Sequence, residues 1–133
     1  MTLLIDDIRT QVTYEPQGSD KGSIIIQPQL IARRAQVGIE CIIGLPRIEA
    51  VYLDHDLGVE TPIQYKDQNG IPLRNNGYAV LQFLECAYYL RPKSIYIITS
   101  NPSARKKMNL ALEALNYTPM VGAFNTEWVR LPD

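Results

Sequence analysis

One histidine and two cysteines are all that 133 residues contain of those types, and no apolar run approaches the length of a membrane span. Each shortage closes off a class of function. Cys41 and Cys86 lie in apolar helical patterns and are too few for a disulfide framework or a cysteine-based zinc site, so both are expected to be buried as small hydrophobes. A formal net charge of −1, from 13 basic and 14 acidic residues spread along the chain, argues against broad nucleic-acid binding and against a membrane surface. It leaves room for a small phosphorylated ligand or an RNA end. Met1 leads straight into an apolar segment with no charged leader and no cleavage site, which predicts a cytoplasmic protein. The length suits a single domain over residues 1–133.

What the chain does have is acid directly behind apolar runs. Asp6 and Asp7 close Leu3-Leu4-Ile5, and Asp54 and Asp56 follow Val51-Tyr52-Leu53 within Asp54-His55-Asp56-Leu57-Gly58. If the two runs are neighbouring parallel strands, four carboxylates meet at the carboxyl edge of one sheet, where open α/β folds place ligands. Carboxylates packed that closely repel one another, so the arrangement calls for a divalent cation. The plainer alternative is that these residues cap helices and form turns. Asp56, two residues past Asp54, either returns to the same side as a further ligand or starts the loop as a cap.

The apolar pattern predicts strands at Thr2 to Ile5, Ser23 to Gln27, Ile48 to Leu53 and Ser94 to Ile98. Asp6 through Lys21, with Pro16 and Gly18, reads as a loop. Pro28 opens a helical pattern that buries Leu30, Ile31, Ala35, Ile39 and Ile42 and ends at Gly44 and Pro46. A second helix, capped by Asn75 or Asn76, buries Val80, Leu81, Leu84, Ala87 and Tyr88, and a third runs from Pro102 through Met108, Leu112 and Leu115 to Asn116. Between Gly58 and Asn76 an irregular hairpin-like insertion turns at Asp67-Gln68-Asn69-Gly70. Met120 to Phe124 and Glu127 to Leu131 supply the last strand or pair of strands. Strands alternating with helices predict an α/β, flavodoxin-like three-layer sandwich. Its mostly parallel sheet has about five strands in the order 2-1-3-4-5, with helices on both faces and the insertion after strand three. In that order strands one and three are neighbours.

These positions resemble the receiver domain of two-component response regulators, with Asp6-Asp7 after strand one, Asp54 after strand three and Thr99 after strand four. Where a receiver carries Lys-Pro after its last strand, this chain has Val129-Arg130-Leu131-Pro132, with no lysine. The resemblance is closer to the cyclic-phosphate processing receiver domain family. It rests on Ile5-Asp6-Asp7-Ile8-Arg9, Leu53-Asp54-His55-Asp56-Leu57-Gly58, Asn76-Gly77-Tyr78, and Ser100-Asn101-Pro102 with Met108 downstream. Members more often carry His where Thr99 stands. The resemblance implies a metal-dependent phosphoesterase acting on nucleotides or RNA ends with cyclic phosphates.

On that reading Asp6, Asp7 and Asp54 hold Mg²⁺ or Mn²⁺ through oxygen, with several waters retained. Catalytic candidates are Asp54, His55 and Asp56. His55 is the only imidazole and suits a proton donor to a leaving alkoxide, or else is structural. Thr99, Ser100 and Asn101 offer a phosphate cradle at a helix amino end, a role compatible with simple capping. Arg9 either forks onto a phosphate or neutralises Asp7. Arg105, Lys106 and Lys107 steer a polyanion or form a solvated face. Tyr65 and Tyr78 stack a base or pack. Two rivals share the pocket: a binder of cyclic or phosphorylated nucleotides without turnover, and a phospho-accepting receiver.

Overall fold

The computed structural model describes residues 1–14, 24–45, 48–121 and 126–129. Its strands, in chain order, are β1 (Thr2–Ile5), β2 (Val12–Tyr14), β3 (Ile24–Ile26), β4 (Leu30–Ala32), β5 (Ala50–Leu53), β6 (Pro62–Lys66), β7 (Pro72–Arg74), β8 (Ser94–Ile97), β9 (Thr118–Val121) and β10 (Thr126–Val129). The helices are α1 (Ala35–Gly44), α2 (Gly77–Cys86) and α3 (Pro102–Ala114), with a short 3-10 turn at Tyr88–Leu90.

Leu3, Leu4 and Ile5 are each fully buried, so β1 needs cover on both faces and belongs at a sheet centre. It pairs in parallel with β4 on one side and β5 on the other, in the sheet order β4-β1-β5-β8-β10-β9. The register sets Ile5 opposite Leu53, and the backbone N–H of Asp54 donates to the carbonyl of Ile5 at 3.0 Å. β8 continues the parallel set, with Leu53 opposite Ile97. The expected adjacency of strands one and three is therefore present, within a receiver-like flavodoxin class.

Four details of the strands and layers differ from expectation. The second sheet strand is β4, formed by Leu30–Ala32, which the periodicity assigned to a helix; α1 starts only at Ala35, and Ile31 is exposed. Ile24–Ile26 is a strand, but it pairs antiparallel with β2 in a separate ribbon, and β2 falls inside the presumed Asp6 to Lys21 loop. Leu3, Ile5, Val51, Leu53, Ile95 and Ile97 pack under all three helices, whereas Leu4, Tyr52 and Ile98 pack with Val12 of the ribbon. Among the described residues the third layer is thus a β-ribbon where helices were expected. Finally, β10 runs antiparallel to β8, placing Val129 beside Ser94 at the edge away from the acids. Pro46, Ser23 and Arg130 to Pro132 lie outside the described residues.

The insertion forms the expected hairpin of β6 and β7, with Gly70 at φ 78° in its turn. Tyr88, expected in the core, is exposed in the 3-10 turn, and Cys86 is exposed while Cys41 is half-buried. No described helix is long and apolar enough to cross a membrane.

Two adjacent asparagines divide the work of holding the insertion. Asn76 caps α2, its side-chain oxygen accepting the Ala79 N–H at 3.0 Å. Asn75 is buried and stitches three segments: its oxygen accepts the Ala35 N–H at 2.9 Å, and its amide nitrogen donates to the carbonyls of Leu57 at 2.8 Å and Val59 at 3.2 Å. Replacing Asn75 with Ala orphans three buried or half-buried backbone groups. Chemical denaturation of Asn75→Ala is expected to show a loss of about 2–3 kcal/mol; a loss under about 0.5 kcal/mol would show that water replaces the stitch.

Candidate functional site

Because β1 and β5 are in register, the residues that follow them come together at one sheet edge. Asp6, Asp7 and Asp54 each bring a carboxylate oxygen within 4.8 Å of the others. Asp6 and Asp54 are buried, while Asp7 is half-exposed. Oxygen ligands around Mg²⁺ or Mn²⁺, at bonds of about 2.1 Å, lie about 3–4.2 Å apart, so the three carboxylates fit such an ion with a small tightening. An all-carboxylate donor set is also what a hard divalent cation selects.

The two buried acids are held differently. Asp6 Oδ1 accepts the backbone N–H groups of Ile8 at 2.9 Å and Arg9 at 2.8 Å, and its Oδ2 meets Arg9 Nη1 at 2.7 Å. Burial alone would raise the Asp6 carboxyl; the two N–H groups and the guanidinium outweigh it and hold it below its ordinary value. Asp54 Oδ1 accepts the His55 N–H at 2.8 Å, the buried Thr99 side chain near it favours the charged form, and Arg9 Nη1 stands off at 3.7 Å from Oδ2. Here burial wins, joined by the charge of Asp6, and the Asp54 carboxyl is raised despite those three partners.

The remaining candidates surround this pair. Arg9 neutralises Asp6 and Asp54, and not Asp7 as the simple alternative had it. Asp56 lies outside the carboxylate cluster; its exposed carboxylate meets Nδ1 of the half-buried His55 at 3.1 Å. Asn101 caps α3 by accepting the Ala104 N–H at 3.2 Å, and its own N–H donates to Thr99 Oγ1 at 3.2 Å. Thr99 is buried just past the end of β8 and is tied to the start of α3 through Asn101, while Ser100 stays exposed. Arg105 Nη2 donates to the Thr99 carbonyl at 2.7 Å, which fixes that loop from behind. Tyr78 lies under Lys107 Nζ, 4.0 Å from its ring centre, and Tyr65 packs edge-on against Phe83, so each ring has a packing partner.

Arg33 escaped the sequence reading, and Asn75 and Gly77, read there as a cap candidate and as part of a motif, have roles at the site that the reading did not give them. Arg33 Nη1 donates to the carbonyls of Asp6 at 3.2 Å and Arg9 at 2.6 Å, bracing the loop that carries the acids. Asn75 anchors the chain behind Asp54. Gly77 lies so close to that chain that a Cβ would stand 1.8 Å from the Asp54 carbonyl oxygen, and its N–H donates to the His55 carbonyl at 2.9 Å. The Gly-Tyr pair at the start of α2 is thus a packing requirement of the acidic edge. The available signals were weak: an Arg-Arg pair after an unrecognised strand and a doubled Asn.

A family model described as the cyclic-phosphate processing receiver domain matches residues 1–114. The chain belongs to that family. The matched segment ends with α3, so the antiparallel β9 and β10 lie beyond it. No curated protein and no solved structure matches the chain. Membership places the domain among receiver-like folds associated with cyclic-phosphate processing, as the motif resemblance implied.

The carboxyl shifts have opposite consequences for stability. The raised Asp54 group favours the folded state below the ordinary carboxylate range, and that contribution is lost as pH rises through its raised value. The lowered Asp6 group contributes above the ordinary range and loses its contribution as pH falls through its lowered value. In EDTA at pH 7, Asp54→Asn is expected to melt about 2–4 °C above wild type, with the gain fading below the carboxylate range. Asp6→Asn should melt below wild type at pH 7. Thermal scans across pH check both; a lower melting temperature for Asp54→Asn at pH 7 would contradict the assignment of strain to that carboxylate.

Proposed function

We propose that this domain is a metal-dependent phosphoesterase that hydrolyses a cyclic phosphate or phosphodiester of a nucleotide or RNA end. The observation that carries the reading is the meeting of Asp6, Asp7 and Asp54 at one sheet edge, with Asp54 raised by burial and by the charge of Asp6. Those three residues would hold Mg²⁺ or Mn²⁺, which when bound supplies Lewis-acid polarisation of a phosphoryl oxygen and a more acidic water.

The chain's own groups supply the rest. His55 is oriented through Nδ1 by Asp56, which leaves Nε2 to give a proton to the departing alkoxide as water forms the new P–O bond and the old one breaks; the proton shed by that water passes to solvent, from which His55 regains its own. Thr99 favours the charged form of the Asp54 carboxylate, while Ser100 and the first turn of α3, capped by Asn101, present donors to phosphate oxygens. Arg9 is within reach of the same edge to pair with a phosphate.

Phospho-accepting signalling is the weaker fit. In a receiver the last strand delivers a lysine to the acidic edge, whereas β10 runs away from it and ends beside Ser94. A small substrate also suits the charge balance better than a long polyanion.

The test is a turnover screen of 2′,3′-cyclic nucleotides, cyclic oligonucleotides and RNA with a terminal cyclic phosphate, with Mg²⁺ or Mn²⁺ against EDTA. Product is expected only with metal; Asp54→Asn should lose activity by at least about 100-fold and His55→Gln by roughly 10²-fold. A ligand that raises the melting temperature without ever being turned over would assign the pocket to binding alone.

A further inference from the structure

Asp6 and Asp54 each use one oxygen on backbone N–H groups, Asp6 on Ile8 and Arg9 and Asp54 on His55. The other oxygen of each, Oδ2, faces Arg9. A single nitrogen, Nη1, lies 2.7 Å from Asp6 Oδ2 and 3.7 Å from Asp54 Oδ2, and so bridges carboxylates from two different strands. A divalent cation shared by the two acids would be drawn to the same pair of oxygens. Two cations at such separations repel strongly in a partly buried setting, so the guanidinium and the metal exclude one another.

The arginine is built to move without its backbone. Its side chain is 42% exposed, which gives the guanidinium open solvent to swing into. Its carbonyl and that of Asp6 are both held by Arg33 Nη1, at 2.6 Å and 3.2 Å, and its N–H is fixed on Asp6 Oδ1. The loop therefore stays in place while χ angles of Arg9 change.

We propose that Arg9 is a built-in competitor for the metal: its guanidinium closes the acidic edge of the metal-free domain and must leave Asp6 and Asp54 before a divalent cation can be held there. The proposal rests on the metal reading of the site. Its consequence is that metal affinity is set below what three carboxylates would provide, and that the displaced guanidinium becomes available to an anion arriving beside the metal. Binding of metal and phosphate is then mutually favourable, because each draws Arg9 out of the carboxylates.

Mn²⁺ titration, read by electron paramagnetic resonance of the free ion, tests this on the intact chain without any turnover. Arg9→Gln is expected to bind Mn²⁺ about tenfold more tightly than wild type, the scale of losing one charge-assisted hydrogen bond at a half-exposed site. Arg34→Gln removes the same charge from a residue whose guanidinium bonds Thr61 Oγ1, and should change affinity less than about twofold. Arg9→Lys, which keeps the charge but loses the fork, should fall between and serves if the Gln variant does not fold. Unchanged or weaker Mn²⁺ binding in the Arg9 variants, beside measurable binding in wild type, overturns the competition and leaves the metal site standing. Equal tightening in Arg34→Gln also overturns it, by assigning the effect to net charge. If no variant binds Mn²⁺, the metal reading and the competition fall together.

Discussion

The parallel pairing of β1 with β5 is the constraint on which the rest depends. Ile5 opposite Leu53 puts Asp6 and Asp54 side by side at the strand ends, one position past the buried core, where their carboxylates cannot avoid one another. The fold answers that repulsion unequally. Asp6 is satisfied by two N–H groups and a guanidinium, whereas Asp54 remains raised by burial and its neighbour's charge. An edge that holds one strained and one settled carboxylate beside the half-exposed Asp7 is suited to an added cation in a way that three solvated acids would not be.

Much of the surrounding structure exists to keep that edge fixed. Gly77 allows α2 to begin in contact with the Asp54 carbonyl, and Asn75 ties the segment behind Leu57 to the start of α1. Arg33 and Arg105 hold backbone carbonyls at Asp6, Arg9 and Thr99 from the outside. These are hydrogen bonds to main chain, so they position loops without adding a charge partner to the carboxylates. The consequence is a braced backbone from which Asp7, Arg9, His55, Asp56 and Ser100 remain partly or fully open to solvent.

How far the chain is legible follows from physical signals of different strength. Leu3-Leu4-Ile5 and Val51-Tyr52-Leu53 read as central strands because every side chain is apolar, and acid at their ends locates the site. Leu30–Ala32 does not, because its spacing with Ala35, Ile39 and Ile42 fits one continuous helix as well as a strand followed by a helix. Ile24–Ile26 is β-branched and forms a strand as its composition asks, but composition does not say which sheet receives it. The direction of β10 depends on chain reversal between short segments, which no residue pattern fixes. At the site, the carboxylates and Thr99 were readable as end-of-strand residues; Asn75, Arg33 and the close approach at Gly77 depend on loops meeting in space, and local pattern is silent about that.

The central claim is that three carboxylates at this edge form a metal centre. Anomalous diffraction from crystals grown with Mn²⁺ examines it most directly. The account predicts a single strong Mn peak within bonding distance of Asp6, Asp7 and Asp54, with Arg9 turned away from the carboxylates. Crystals that show Arg9 still bridging Asp6 and Asp54, with Mn²⁺ absent from this edge at saturating concentration, would contradict it.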